Sequence, residues 1–209
     1  MNEKFYSLSE EKQQAIINGG YWVFSRNSYK KSPVSEIAEA AGISKSLLFY
    51  YFQNKRELYL FLWDTCTRLT SAYLKKYRCY EPPDIFEMMR RGLNAKVHLM
   101  RRYPDLGAFA LKAYYEKDPA VYRDLQKSIA EYTTLKENMS LPLLDPAQFI
   151  PGLDLNMMYQ DMYLASEGYF WRVFSGEGMD IDQIENDFEK MIDFWKQVYL
   201  RKEDSHGCD

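Results

Sequence analysis

The sequence predicts an all-α protein of about nine helices, with a three-helix helix-turn-helix domain at residues 1–54 and a larger helical domain at residues 55–209. Three observations carry this. Apolar residues recur at helical spacing, prolines and glycines punctuate the chain at helix-length intervals, and no segment shows the alternation or turn signals of a strand hairpin.

Taken in order, Ser7 and Glu10 are spaced to open a first helix that runs to about Arg26 and buries Ile16, Ile17, Gly20, Val23 and Phe24. Ser32 before Pro33 supplies an N-cap and a first-turn proline, with Glu36 acidic in the same turn. The second helix, Ser35 to Ala41, presents Ile37, Ala38 and Ala41 as a narrow apolar face that another helix can approach closely. Gly42 ends it in the left-handed conformation, Ile43 returns to the core, and Ser44 caps a third helix, Lys45 to Tyr51. That helix turns Leu48 inward, with Phe52 four residues on, and leaves Lys45, Ser46, Phe49 and Tyr50 at its start and outer side. Two short helices about a glycine turn form a helix-turn-helix, and the second has the layout of a recognition helix whose first turn meets base edges. The same geometry also occurs as plain packing.

Asn54-Lys55-Arg56-Glu57 is a capping-box variant that opens a fourth helix, from about Lys55 to Tyr77, striped by Leu58, Phe61, Leu62, Thr65, Leu69, Ala72 and Tyr73. Further breaks fall at Glu81-Pro82-Pro83-Asp84, Tyr103-Pro104, Asp118-Pro119, Ser140 to Asp154 and Gly176-Glu177-Gly178. In the last helix Ile181, Ile184, Phe188, Met191, Trp195 and Val198 alternate by three and four as a heptad-like seam. The helix before it, Leu155 to Phe174, is apolar on almost every side, and Gly168 allows close approach. This pair is the expected dimer interface, through Met158, Met162, Tyr169, Ile184, Phe188, Met191, Trp195 and Val198. The competing reading is that it completes a monomeric core. A two-fold pair is favoured because one helix-turn-helix buries too little to select an operator.

Composition narrows the function. The net charge is −3 with a pI near 5.6, yet residues 1–60 hold eight Lys/Arg against six Asp/Glu, and the remainder 19 against 24. The basic residues Lys30, Lys31, Lys45, Lys55 and Arg56 lie around the proposed groove face, so a local patch offsets the acidic whole. The chain lacks an 18-residue apolar run and a charged-then-apolar leader, so the expectation is a cytoplasmic protein with no membrane partner. Cys66, Cys79 and Cys208, with His98 and His206, have no metal-ligand spacing, and no metal or cofactor is expected. Cys66 reads as a small core residue. Neither a nucleophile elbow nor a phosphate-cradling glycine loop is present, which disfavours an all-helical enzyme. An alternative class is an all-helical protein-interaction module with a vestigial helix-turn-helix.

Residues 10–60, from FSRNSYKKSPVSEIAEAAGISKSLLFYYF into QNKRELYLFL, resemble the DNA-binding domain of the TetR (tetracycline-repressor-like) family of bacterial transcriptional regulators. The resemblance covers about a quarter of the chain; the rest is similar to the family in length and helical layout alone. It implies phosphate contacts from Ser32, Tyr51 and Lys55, and base-edge and groove contacts from Ser35, Lys45, Ser46 and Tyr50 on double-stranded operator DNA. Three residues depart from the pattern. Phe49 stands where the family has a tyrosine, Leu47 where a small residue or Thr is common, and Ser28 where a glycine is usual, which leaves Asn27 to take a positive φ.

The resemblance also implies a homodimeric repressor released from an inverted-repeat operator by a small molecule bound among the central helices. His98, Tyr103, Phe109, Tyr114, Tyr115, Glu116, Glu167 and Trp171 are the expected lining, and aromatic walls suit a flat ligand that is aromatic, apolar or cationic.

Overall fold

The computed structural model describes residues 3–140, 144–175 and 180–201, side chains at 132 and 134–140 excepted. Among them ten α-helices follow one another: α1 (Glu3–Tyr6), α2 (Glu10–Arg26), α3 (Val34–Ala40), α4 (Lys45–Tyr51), α5 (Lys55–Lys76), α6 (Ile85–Arg102), α7 (Leu106–Tyr114), α8 (Tyr122–Ser140), α9 (Leu155–Ser175) and α10 (Ile181–Tyr199). The expected all-α class holds. The helix beyond the expected nine is α1, a single turn too short to show a period, held by Phe5, which is fully buried against the rings of Phe52 and Phe61 at 5.4 and 4.8 Å. The expected break at Gly176 to Gly178 lies outside the described residues.

Each local signal in the N-terminal third has a structural counterpart. Gly42 has φ +67, and the Ile43 and Gly42 amides donate to Ala38 and Glu39 carbonyls at 2.9 Å, the paired bonds of a Schellman close. Ser44 Oγ accepts from the Leu47 amide at 3.1 Å, opening α4. Asn54 Oδ1 accepts from the Glu57 amide at 2.9 Å while Glu57 reaches back to the Gln53 amide at 2.7 Å. One expectation is corrected. Asn27 is extended, with φ −124, because its amide and side-chain nitrogens both donate to Val23 O, and the turn is made further on by Lys31 and Ser32 amides on Ser28 O.

The chain divides into two compact units, Met1–Tyr73 with His98–Thr134, and Leu74–Val97 with Leu135–Asp209. In the first, α2 packs on α3 and on α7. Its centre is a set of buried rings, with Phe109 at 5.0 Å from Tyr21, 5.3 Å from Tyr59 and 6.3 Å from Phe24. Tyr21 donates its hydroxyl to Leu62 O at 3.1 Å, and burial pushes the Tyr21 and Tyr59 phenols well above the usual range, so both remain neutral donors. Cys66 is buried here and its thiol is pushed up to about 12 by burial, as suits a core residue.

The contact between α2 and α3 depends on Gly19, where an added Cβ would stand 3.0 Å from Ile37 O and 3.1 Å from Ala41 N. Those neighbours are backbone and cannot rotate away. Gly19→Val is therefore expected to cost about 1–3 kcal/mol by overpacking, read by urea unfolding at fixed protein concentration. A midpoint equal to wild type would show that α3 does not sit so close.

In the second unit α9 and α10 pair along their length. Tyr169 donates to Asp187 at 3.1 Å, Tyr199 donates to Asp161 at 2.7 Å, and Phe188 lies 5.5 Å from Phe170 and 6.3 Å from Trp195. Arg90 on α6 grips Glu189 with two parallel bonds, Nε to Oε1 at 2.9 Å and Nη2 to Oε2 at 3.0 Å. Both partners are partly solvated, so the pair orients α6 against α10 more than it stabilises the unit.

Candidate nucleic-acid interface

The helix-turn-helix presents a face built almost wholly from α4. Lys45, Ser46, Leu47, Phe49 and Tyr50 are exposed, Tyr50 at 57 %, while Leu48 and Tyr51 point inward. Burial of those two residues fixes which side faces out, since a seven-residue helix has only two turns to divide between core and solvent. Ser35 is exposed at the start of α3 beside this face, and Lys30 and Lys31 are exposed in the preceding turn.

Of the seven residues expected at DNA, Ser35, Lys45, Ser46 and Tyr50 are exposed. The remaining three do structural work. Ser32 is buried and its hydroxyl donates to Ser28 O at 2.9 Å, closing the turn before α3. Tyr51 is buried, with its ring edge-on to Tyr50 at 5.6 Å. Lys55, half-buried, donates its ammonium to Lys30 O at 3.0 Å and Ser32 O at 3.3 Å and lies 4.9 Å over the Tyr29 ring. An ammonium has three donors, so one remains for a phosphate while two tie α5 to the turn.

That turn is pinned from the other side by Glu116. Its Oε2 accepts from the Tyr29 amide at 2.8 Å and its Oε1 from the Lys117 and Asp118 amides, both at 2.9 Å. Expected as an effector contact, Glu116 is occupied by three backbone donors. Sequence reasoning also missed Lys4, whose ammonium lies 4.0 Å over the Tyr50 ring. Its only signal was a basic residue beside the core aromatic Phe5, in a helix too short to recognise.

The residues expected to line an effector chamber divide between the units. His98, Tyr103, Phe109, Tyr114, Tyr115 and Glu116 belong to the first, Glu167 and Trp171 to the second. Tyr103 and Phe109 are core, and Tyr115 and Trp171 are exposed. Of the residues expected to form a dimer interface, Met158, Met162, Tyr169, Ile184, Phe188 and Trp195 are covered within their own chain, Met191 is half-buried and Val198 is exposed. The heptad-like seam is satisfied by the antiparallel neighbour in the same unit. The apolar face left open is the opposite one, Met157, Leu164 and Trp171 of α9 with Phe194 and Val198 of α10.

Among the described residues no helix is long and apolar enough to cross a membrane, and no group of His, Cys, Asp and Glu could hold a metal ion.

Comparison with known proteins places this geometry. Residues 16–61, which contain both helices of the motif and the start of α5, match the bacterial regulatory proteins of the tetR family. The transcriptional regulator RutR of Escherichia coli K12 is 30% identical over 93 residues, 44% of this chain and 43% of RutR, so the match spans less than half of that curated relative. In structure, a TetR family transcriptional regulator from Chloroflexus aurantiacus has a TM-score of 0.63 at 22% identity, over 96% of this chain and 98% of that one. The TetR-like regulator LfrR of Mycobacterium smegmatis, solved in complex with proflavine, has a TM-score of 0.59 at 19% identity, over 88% of this chain and 96% of its own. These structural likenesses carry the fold beyond residue 61. Residues 16–61 thus match the DNA-binding domain of the bacterial regulatory proteins of the tetR family, and the remaining helices share the fold of solved TetR-family regulators.

Proposed function

We propose that this chain is a sequence-specific, DNA-binding transcriptional regulator, acting in the cytoplasm as a homodimeric repressor that a small molecule releases from an inverted-repeat operator. Residues 1–54 read the DNA, and residues 55–209 carry the effector site and the dimer contact. The observation that carries the reading is the α4 face, where a lysine, a serine and a tyrosine stand exposed on a short helix whose inner side is fixed by the core, while Lys55 and Glu116 hold the turn before its partner α3. Such a face meets a major groove without first having to order itself. Release follows if the effector prefers the form in which the two reading heads no longer match successive grooves, since DNA affinity then falls by the ratio of its affinities for the two forms.

The test is selection of bound sequences from a random duplex pool, followed by affinity against salt. An inverted repeat with half-sites about one helical turn apart, or a multiple of it, is the expected result. Lys45→Ala is expected to weaken operator binding by about 1–3 kcal/mol per half-site; a phosphate role would flatten the salt slope, and a base role would relax the preference at one position. Failure of the folded dimer to enrich any sequence at low salt would move the reading to a helical protein-interaction module.

A further inference from the structure

On α6 the residues of the second unit form an amphipathic helix with an anomaly at the centre of its buried arc. Phe86, Leu93 and Val97 flank that arc on one side and Met88 and Ala95 on the other, all buried. Down its middle, at spacings of four, three and four, run Ile85, Met89, Gly92 and Lys96. These should be the least accessible residues of the helix. Instead only Ile85 is buried, Met89 and Gly92 are half-buried, and Lys96 is exposed. A Cβ placed on Gly92 would meet nothing nearer than Leu74 Cδ2 at 4.0 Å. The arc therefore opens onto a recess.

Lys96 reaches into it. Its ammonium lies 5.5 Å from the centroid of Phe170 on α9, and among the described residues no carboxylate comes within ion-pair distance. Desolvation lowers its pKa, offset in part by the neighbouring Cys79. Its ammonium stands at the middle of the apolar arc, against the ring of Phe170. A desolvated ammonium offers three donors and no acceptor, and its cost is met by a paired anion. The adjoining side chains Leu74, Met89 and Phe170 are apolar.

We propose that the α6 recess is the effector site and that it takes an organic anion, a carboxylate on an alkyl or aryl body, with Lys96 as the pairing cation and Phe170 and Met89 against the body. This deepens the effector-release reading and rests on it. It also replaces the cationic ligand that the aromatic composition suggested, because a cation there would face like charge.

The experiment is calorimetry on the full chain without DNA, using benzoate, 2-naphthoate and the straight-chain carboxylates from hexanoate to dodecanoate, each against the primary alcohol of the same body. The expected result is that at least one carboxylate binds about tenfold or more tighter than its alcohol. Lys96→Met should abolish that preference and Lys96→Arg should keep it. Gly92→Leu should block acid and alcohol alike while leaving the thermal midpoint at or above wild type, since the space is open and the helix gains a better former. Equal binding of acid and alcohol, an unchanged preference in Lys96→Met, or no binding by any member at millimolar concentration would overturn the proposal. Operator affinity of the wild-type chain, measured without probe, reports separately on the regulator reading: its failure would leave a measured carboxylate preference standing.

Discussion

Replacing Leu164 and Trp171 together with glutamate is expected to give a folded monomer with no measurable hold on an operator. The two residues lie seven apart on α9, in line with Met157, and the three are 61, 48 and 68 % exposed. Gly168 sits between them with nothing within 4 Å of where its Cβ would be, and Phe194, 60 % exposed, adds to the patch from α10. With Val198 of α10, five apolar side chains gathered on one helix pair exceed the scatter expected of a monomer's surface. An isologous contact counts each residue twice, so losing a tryptophan anchor worth about 2 kcal/mol removes about 4 kcal/mol, or roughly a thousandfold in dimer affinity. The four introduced carboxylates would then face one another across the two-fold and add repulsion. Because both sites are exposed in the single chain, the fold itself should change by no more than about 0.5 kcal/mol. Sedimentation velocity reads the assembly, circular dichroism the fold, and anisotropy of a labelled operator the consequence. A variant that remains dimeric at micromolar concentration would place the two-fold elsewhere.

The sequence pointed to the covered seam of α9 and α10 for this contact, and of the open face it named only Val198. Periodicity along α10 identified Ile184, Phe188 and Trp195 as covered residues, which they are, but spacing does not say by what they are covered. Phe188 is covered by Tyr169 and Phe170 of α9 in the same chain. The leftover residues of α9 were legible as a heptad of their own, Met157, Leu164 and Trp171, hidden because that helix is apolar on most sides. The helix-turn-helix was readable almost in full because its signals are local: one glycine, one serine cap and one Asn–Glu pair each fix a turn through bonds spanning three to five residues. Ser32 and Lys55 were readable as participants but not in their orientation, since the carbonyls they serve, on Ser28, Lys30 and Ser32, are exposed to them only once the turn has formed. Lys96 had a signal that aromatic counting overlooked. It is the lone charge in the apolar arc of α6, one turn after Gly92.

Phe109→Ala is expected to lower stability by about 3–5 kcal/mol, the usual cost of emptying an aromatic site in a packed core. The choice between core and chamber wall, which composition could not make, turns on this residue. Phe109 has no exposed surface, and its ring touches a closed set in which Phe24 and Tyr59 stand at 4.7 Å and Tyr59 and Tyr29 at 5.1 Å. Tyr29 carries the amide that Glu116 holds and the ring over which Lys55 lies. Loss of Phe109 therefore loosens, at one remove, the turn that sets α3 and α4. Unfolding in urea should show a lower midpoint at fixed protein concentration, without the rescue by added ligand that a chamber wall would allow. Operator affinity of the folded fraction should fall less than for Lys45→Ala, because the α4 face itself is unchanged. A variant of wild-type stability whose only defect is in effector response would return Phe109 to the chamber and would mean that these rings enclose a cavity rather than a core.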